Sequence, residues 1–154
     1  MASQKKVQIK NRKARFEYEI LDKYVAGIVL RGTEIKAIRE GKASIAESFC
    51  EFSNGELFVI NMTVQEYSHA SHYSHNPKQE RKLLLNRSEL KKLEKEVKNT
   101  GLTIIPLLLF TTDKGLAKLE IALCRGKKQF DKRESIKDRD TKRDLSRIKK
   151  SFNN

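Results

Sequence analysis

Two short segments of this chain combine the residue types that recognise RNA. Asn11-Arg12-Lys13-Ala14-Arg15 sets one amide among three cations. A guanidinium makes bidentate contacts to phosphate, and an amide reads a base edge. Arg81-Lys82-Leu83-Leu84-Leu85-Asn86 places cations, an apolar ridge and a terminal amide at a strand-to-helix junction. An apolar ridge packs against an unstacked base, which is how looped or single-stranded RNA is read. Two bland roles stand beside these: the leucines can fill a core, Leu83 and Leu85 more readily than Leu84, and Asn86 can cap a helix.

Other chemistry is poorly supported. His69, His72 and His75 are evenly spaced, but they precede Asn76-Pro77 in a stretch that reads as strand, where positions i and i+3 face opposite sides. With no cluster of cysteines or carboxylates to complete a ligand set, no metal is expected. The chain has no Gly-rich phosphate loop, no Gly-x-Ser-x-Gly and no paired carboxylates near a histidine, so neither an enzyme nor a cofactor is expected. Glu34 stands at the mouth of a short helix, where the dipole stabilises a carboxylate, and this reading is preferred to catalysis. Cys50 and Cys124 lie far apart in apolar-alternating segments and read as buried, reduced thiols. With no apolar run after the N-terminal charges, the expected compartment is the cytoplasm.

The elements that must position these residues are mostly strands. Phe16, Tyr18 and Ile20 alternate with Glu17 and Glu19, which predicts a strand, and Tyr24 to Leu30 predicts a second, with a bulge or bend at Gly27. Gly32-Thr33 opens a short helix that stops at Gly41. Phe49–Phe52 and Leu57–Met62 flank Ser53-Asn54-Gly55, the pattern of a hairpin with an Asn-Gly turn. Another strand is expected over 67–73. Asn86 and Glu89 have capping-box spacing, Leu90, Leu93 and Val97 repeat at helical spacing, and Gly101 marks the exit. Leu102–Phe110 and Leu116–Cys124 then predict a second hairpin around Asp113-Lys114-Gly115. Such a chain is mainly β with peripheral helices; a small antiparallel β-barrel is the economical fold, since closure removes sheet edges, and a split α+β sandwich is the alternative.

Charge separates the ends from the body. Met1 to Arg15 carries six basic residues and no acid, and Arg125 to Asn154 carries twelve against five; between Phe16 and Cys124, fifteen bases face fifteen acids. The net +13 therefore sits at the two ends, which predicts a polyanionic partner. A membrane is not expected, because the ends lack tryptophan and a broad apolar face, and nothing approaches the roughly 20 apolar residues of a span. The C-terminal segment has few apolar side chains; Leu145, Ile148 and Phe152 share a helical face, and Glu134 with Lys137 and Asp138 with Lys142 have pairing distance on a helix. It is expected to be disordered when free and to fold on a partner.

Several segments, in order along the chain, resemble the small protein B (SsrA-binding protein) family. They are Asn11 to Tyr18, Ala26-Gly27-Ile28, Gly32 to Arg39, Gly41 to Ile45, Arg81 to Asn86, and Gly126-Lys127-Lys128-Gln129 with Asp131-Lys132-Arg133. The resemblance implies an oligonucleotide-binding-type (OB-like) barrel over residues 15–125, a basic N-terminal arm over 1–14 and a basic tail over 126–154. It also implies a task, trans-translation: the barrel binds the tRNA-like domain of transfer-messenger RNA and delivers it to stalled bacterial ribosomes. Alanyl-tRNA synthetase and elongation factor Tu are then indirect partners. The tail becomes helical in the empty messenger channel, against small-subunit ribosomal RNA at the decoding centre. The RNA-contacting residues would be Asn11, Arg12, Lys13, Arg15, Lys82, Leu84 and Asn86. The ribosome-binding tail residues would be Lys127, Lys128, Phe130, Asp131, Lys132, Arg133, Lys137, Arg139, Arg143, Arg147, Ile148 and Lys149. Two positions depart from the family's habit. Val25 stands where it commonly has Glu, so a carboxylate contact there is lost or moved. Phe130 stands where it commonly has His, so stacking is expected to be the part that matters.

Overall fold

The computed structural model describes residues 6–67, 75–98 and 101–127. The strands are β1 (Gln8–Lys10), β2 (Tyr18–Ile28), β3 (Ala43–Ser44), β4 (Phe49–Ser53), β5 (Glu56–Ile60), β6 (Thr63–Val64), β7 (Arg81–Leu84), β8 (Leu102–Thr111) and β9 (Ala117–Gly126). The helices are α1 (Ala14–Glu17), α2 (Gly32–Arg39) and α3 (Arg87–Val97). Antiparallel ladders run β8–β4–β5–β7–β2–β9, and β9 pairs back onto β8, so the sheet is ring-like. β1 pairs further along the same edge of β8 that β4 uses, opposite β9, and β3 pairs with β6 in a separate ribbon.

Alternation along the strands divides inside from outside. Ala26, Leu57, Val59, Leu83, Leu109, Leu119 and Ile121 point inward and are fully buried or nearly so, and α2 and α3 add Ala37, Ile38 and Leu93 to the same core. Their neighbours Val25, Lys82, Leu84, Lys118 and Glu120 point outward, as the two-residue period of a strand requires. Asn54 and Gly55 both take left-handed backbone (φ 52° and 78°), which gives the β4–β5 hairpin the primed turn that its Asn-Gly sequence favours. Asn86 and Glu89 form the capping box of α3, with the Asn86 N–H donating to Glu89 Oε1 at 3.1 Å.

Four local features differ from the sequence expectation, the first being that the two strands expected around Phe16–Ile20 and over Tyr24–Leu30 are one continuous strand, β2. Phe16 and Glu17 belong to a helical turn, with the Lys13 carbonyl accepting from both their N–H groups, and the strand begins at Tyr18. The turn seats Ala14 on a small second core of Ile105, Leu107, Ala122 and Cys124, so tertiary burial overrides the local alternation. The bulge of β2 falls between Ile20 and Asp22, leaving Leu21 unpaired and 43% exposed, while Gly27 keeps regular register. What Gly27 provides is closeness: a Cβ there would stand 3.4 Å from the Leu84 Cβ. Finally, Gln8–Lys10, read from sequence as part of an arm, joins the sheet as β1. Past Tyr67, which lies outside any strand, the strand expected over 67–73 falls outside the described residues.

Beside α2 lies a dense polar cluster. Glu34 and Arg81 are both about 1% exposed and form a close ion pair through Glu34 Oε2 and Arg81 Nε. The other carboxylate oxygen accepts from the Arg31 N–H and from Gln79 Nε2, each at 2.9 Å. The rest of the guanidinium donates to the carbonyls of Met62, Gln79, Pro77 and Asn76 at 2.6–3.5 Å. Burial pushes the Glu34 carboxyl upward, but the Arg31 N–H and the Arg81 guanidinium outweigh it and hold the carboxyl below its ordinary value. Glu34 therefore serves structure, beyond the dipole role expected for it. Cys50 and Cys124 are free and buried; burial raises both thiols, that of Cys124 to about 12, so both stay protonated at neutral pH.

Candidate nucleic-acid interface

The outer face of the ring brings the two sequence segments onto one surface. Register places Leu84 of β7 opposite Gly27 of β2, and Gly27 opposite Lys118 of β9. The next row joins Val25, Glu120, Leu108 and Lys10, on β2, β9, β8 and β1. An apolar strip formed by Leu84 (52% exposed), Val25 and Val29 (51% each) thus leads sideways toward a basic corner. The alternation of Arg81 to Leu85 resolves as expected: Leu83 is in the core, Leu85 packs partly against it, and Leu84 faces outward. Lys82 shares the outward face and pairs with Glu56 at 2.9 Å. Asn86 is exposed at the start of α3, so its capping role leaves it at the surface.

The basic corner is built by β1, the turn after it and α1. Lys10, Arg12 and Arg15 are exposed and surround a concavity of about 370 Å³ that Leu108 and Glu120 complete. None of the three cations has an acidic partner among the described residues. Lys13 points elsewhere and pairs with Glu47 at 3.3 Å. Asn11 lies beneath this corner, 7% exposed: its backbone N–H donates to the Leu107 carbonyl and its Nδ2 to the Pro106 carbonyl, both at 2.9 Å. Oδ1 of Asn11 is buried and has no hydrogen-bond partner among the described residues. In this state the Asn11 side chain anchors the turn onto the irregular middle of β8 and is not displayed for a base.

Lys127 is held to the body through its N–H, which donates to the Glu17 carbonyl at 2.9 Å. The remaining tail positions named from the sequence (Lys128, Phe130, Asp131, Lys132, Arg133, Lys137, Arg139, Arg143, Arg147, Ile148 and Lys149) lie outside the described residues, as do His69 and His72. His75 is buried, with Nε2 2.8 Å from the Val64 carbonyl and Nδ1 2.9 Å from Thr33 Oγ1, so hydrogen bonds occupy both ring nitrogens. Among the described residues no three His, Cys, Asp or Glu side chains stand together as a metal site, and no helix is long and apolar enough to cross a membrane.

Sequence reasoning did not single out Lys10, Leu108 or Glu120. Leu108 and Glu120 carried no signal beyond alternation, and Lys10 carried only its share of the N-terminal basic charge and an alternation that spans just three residues.

The family model described as SmpB protein matches residues 8–151. An SsrA-binding protein of Christiangramia forsetii is 71% identical over 146 residues, covering 95% of this chain and 93% of the relative. One of Flavobacterium psychrophilum is 68% identical over 148 residues, covering 96% and 99%. A solved structure described as "tmRNA-SmpB: a journey to the center of the bacterial ribosome" superposes with a TM-score of 0.68 at 40% identity, over 84% of this chain and 94% of the other. Sequence, length and fold agree, and the chain belongs to the SmpB family of SsrA-binding proteins.

Proposed function

We propose that this chain binds transfer-messenger RNA and carries it to stalled ribosomes for trans-translation, acting in the cytoplasm as a binding protein and catalysing no reaction. The observation that carries this reading is the outer face, where the exposed strip of Leu84, Val25 and Val29 meets Lys10, Arg12 and Arg15, cations with no acidic partner among the described residues. Apolar side chains serve unstacked bases of a folded RNA, and the cations serve its phosphates. The tRNA-like domain is the part of the RNA that this face takes. Leu84, Asn86, Lys82, Arg12 and Arg15 make contact from the surface; Lys13 joins by exchanging Glu47 for phosphate, and Asn11 contributes by holding the turn. Aminoacylation by alanyl-tRNA synthetase and delivery with elongation factor Tu follow from the complex so formed.

The tail, from Gly126 onward, acts separately at the decoding centre, its cations along small-subunit ribosomal RNA and Ile148 on its helical face. Truncation after Lys128 tests this division. Affinity for the tRNA-like domain should stay near wild type while tagging on stalled ribosomes is abolished; loss of RNA binding as well would refute the two-part reading. At Phe130, replacement by His should support tagging and replacement by Leu should not, because stacking is the interaction in use. Equal tagging by both variants would show otherwise.

A further inference from the structure

Glu120 is an acid in an unfavourable place for a protein that binds a polyanion. Register puts it between Val25 and Leu108, with Lys10 beyond, so it stands on the outer face beside the cations of the basic corner. Three other surface acids sit closer to their cations, Asp113 to Lys6 at 2.6 Å, Glu56 to Lys82 at 2.9 Å and Glu47 to Lys13 at 3.3 Å, while Glu19 and Arg125, at 3.9 Å, are as loosely paired as Glu120 but line no cation-lined concavity of this face. The only ion pair Glu120 makes among the described residues is to Lys23 Nζ, at 4.0 Å, the outer limit of such a contact. Its side chain is 29% exposed and lines the same concavity as Lys10, Arg12 and Arg15 without pairing to any of them. Phosphate alone would be better served by an uncharged side chain here, because a carboxylate beside it repels.

A carboxylate among apolar side chains and cations that have no acidic partner among the described residues suits a nucleobase with its phosphate. Val25 and Leu108 offer a surface for the ring, the cations hold the backbone, and the carboxylate accepts from the base edge. Among the four bases, guanine has two adjacent donors on its Watson–Crick edge, N1–H and the N2 amino group, which match two carboxylate oxygens. Adenine and cytosine set a ring acceptor beside their amino group, and uracil flanks its single N–H with two carbonyls, so each would bring an acceptor against the carboxylate.

We propose that Glu120 is a specificity residue that reads an unpaired guanine in the bound RNA, with the phosphate of that nucleotide or its neighbour held by Lys10, Arg12 and Arg15. This rests on the RNA-binding reading above and adds to it the base that the face selects.

The test uses the full chain, the tRNA-like domain of transfer-messenger RNA, and E120Q, a substitution that keeps shape and removes charge. If Glu120 only repels phosphate, E120Q binds more tightly. If it reads guanine, E120Q binds about tenfold more weakly, the scale of losing one bidentate base contact. A series of RNAs with single guanine-to-inosine replacements, each lacking one N2 amino group, then locates the base. One loop position should weaken binding to the wild-type chain and leave E120Q unaffected. Should E120Q melt well below wild type, the inosine series on the wild-type chain decides alone. Equal or tighter binding by folded E120Q, or no sensitive loop guanine, overturns the proposal. Failure of the underlying reading looks different: the wild-type chain would then show no preference for the tRNA-like RNA over a plain duplex at any salt concentration.

Discussion

Beside α2, the charged side chains are sealed and their hydrogen-bonding capacity is spent. Glu34 accepts from Arg81, Gln79 and the Arg31 N–H, and the Arg81 guanidinium is consumed by Glu34 and four carbonyls. The outer face of β7, β2, β9 and β8 is the reverse: Leu84 and Val25 are about half exposed, and among the described residues Lys10, Arg12 and Arg15 lack acidic partners and Glu120 has one distant cation. Both regions carry charge, so charge alone does not mark function. Uncommitted hydrogen-bonding capacity at the surface does, since a partnered group must be released before it can engage a ligand, whereas an open one has lost nothing. The contrast predicts that substitutions beside α2 will act through folding and those on the outer face through binding.

The largest effect should come from Arg81→Met. Removing one partner of a buried pair leaves an uncompensated charge, at a cost of about 3–5 kcal/mol, which lowers the melting temperature by on the order of 10 °C. The pH dependence should change sign with it. In the wild type the Glu34 carboxyl sits below its unfolded value, so its stabilisation is complete above that value and is lost as pH falls through the lower, folded one. Without Arg81, burial dominates and raises the carboxyl, so acidification from neutrality should stabilise Arg81→Met. Thermal melts across pH 3 to 7 read both effects. A melting temperature within 2–3 °C of wild type would mean that the pair is a surface-like contact, and the contrast would fail.

Leu84→Ala should do the opposite. The side chain is half exposed, so the melting temperature should barely move, while affinity for the tRNA-like RNA falls by about 1–3 kcal/mol, the scale of one lost base contact. Anisotropy titrations with a melt on the same sample separate the two. A destabilised variant with unchanged affinity would reassign Leu84 to packing. Asn86→Ala falls between, because Asn86 both caps α3 and stands at the surface. Loss of the cap costs about 1 kcal/mol of stability, and any loss of affinity beyond that is contact with RNA.

Legibility in the sequence followed the range of the interaction. The β4–β5 hairpin was readable because Asn54-Gly55 alone dictates its turn, and α3 because Asn86 and Glu89 close a local capping box. The ordering of Leu83, Leu84 and Leu85 followed from strand alternation. Features that depend on distant partners were not readable. β1 exists because the edge of β8 accepts it, α1 because Ala14 caps the Ile105–Ala122 patch, and the bulge sits at Leu21 for reasons invisible in Gly27. Lys10 and Glu120 lie more than a hundred residues apart, and only Leu108 between them in register makes them neighbours. Asn11 shows the same limit from the other side: its residue type suggested a base reader, and only the fold reveals that its Nδ2 donates to the Pro106 carbonyl while its Oδ1 is buried.

The smallest effects should come from the basic corner, and they are best read as a slope. Arg12 and Arg15 are exposed with no acidic partner among the described residues, so Arg12→Ala and Arg15→Ala break no ion pair there and should leave stability within about 0.5 kcal/mol. Each phosphate contact released should lower the steepness of log affinity against log salt by about one. Weakening should be similar for the tRNA-like RNA and for a duplex, because phosphate contacts carry no base information. Lys13→Ala is the internal control. Lys13 already pairs with Glu47 at 3.3 Å, so reaching a phosphate costs it that contact, and its slope change should be smaller than that of Arg12 or Arg15. Titrations from low to physiological salt give all three slopes. If Lys13→Ala matched the two arginine variants, the pairing in the free chain would not matter to binding, and the distinction between committed and uncommitted charge would lose its force at this corner.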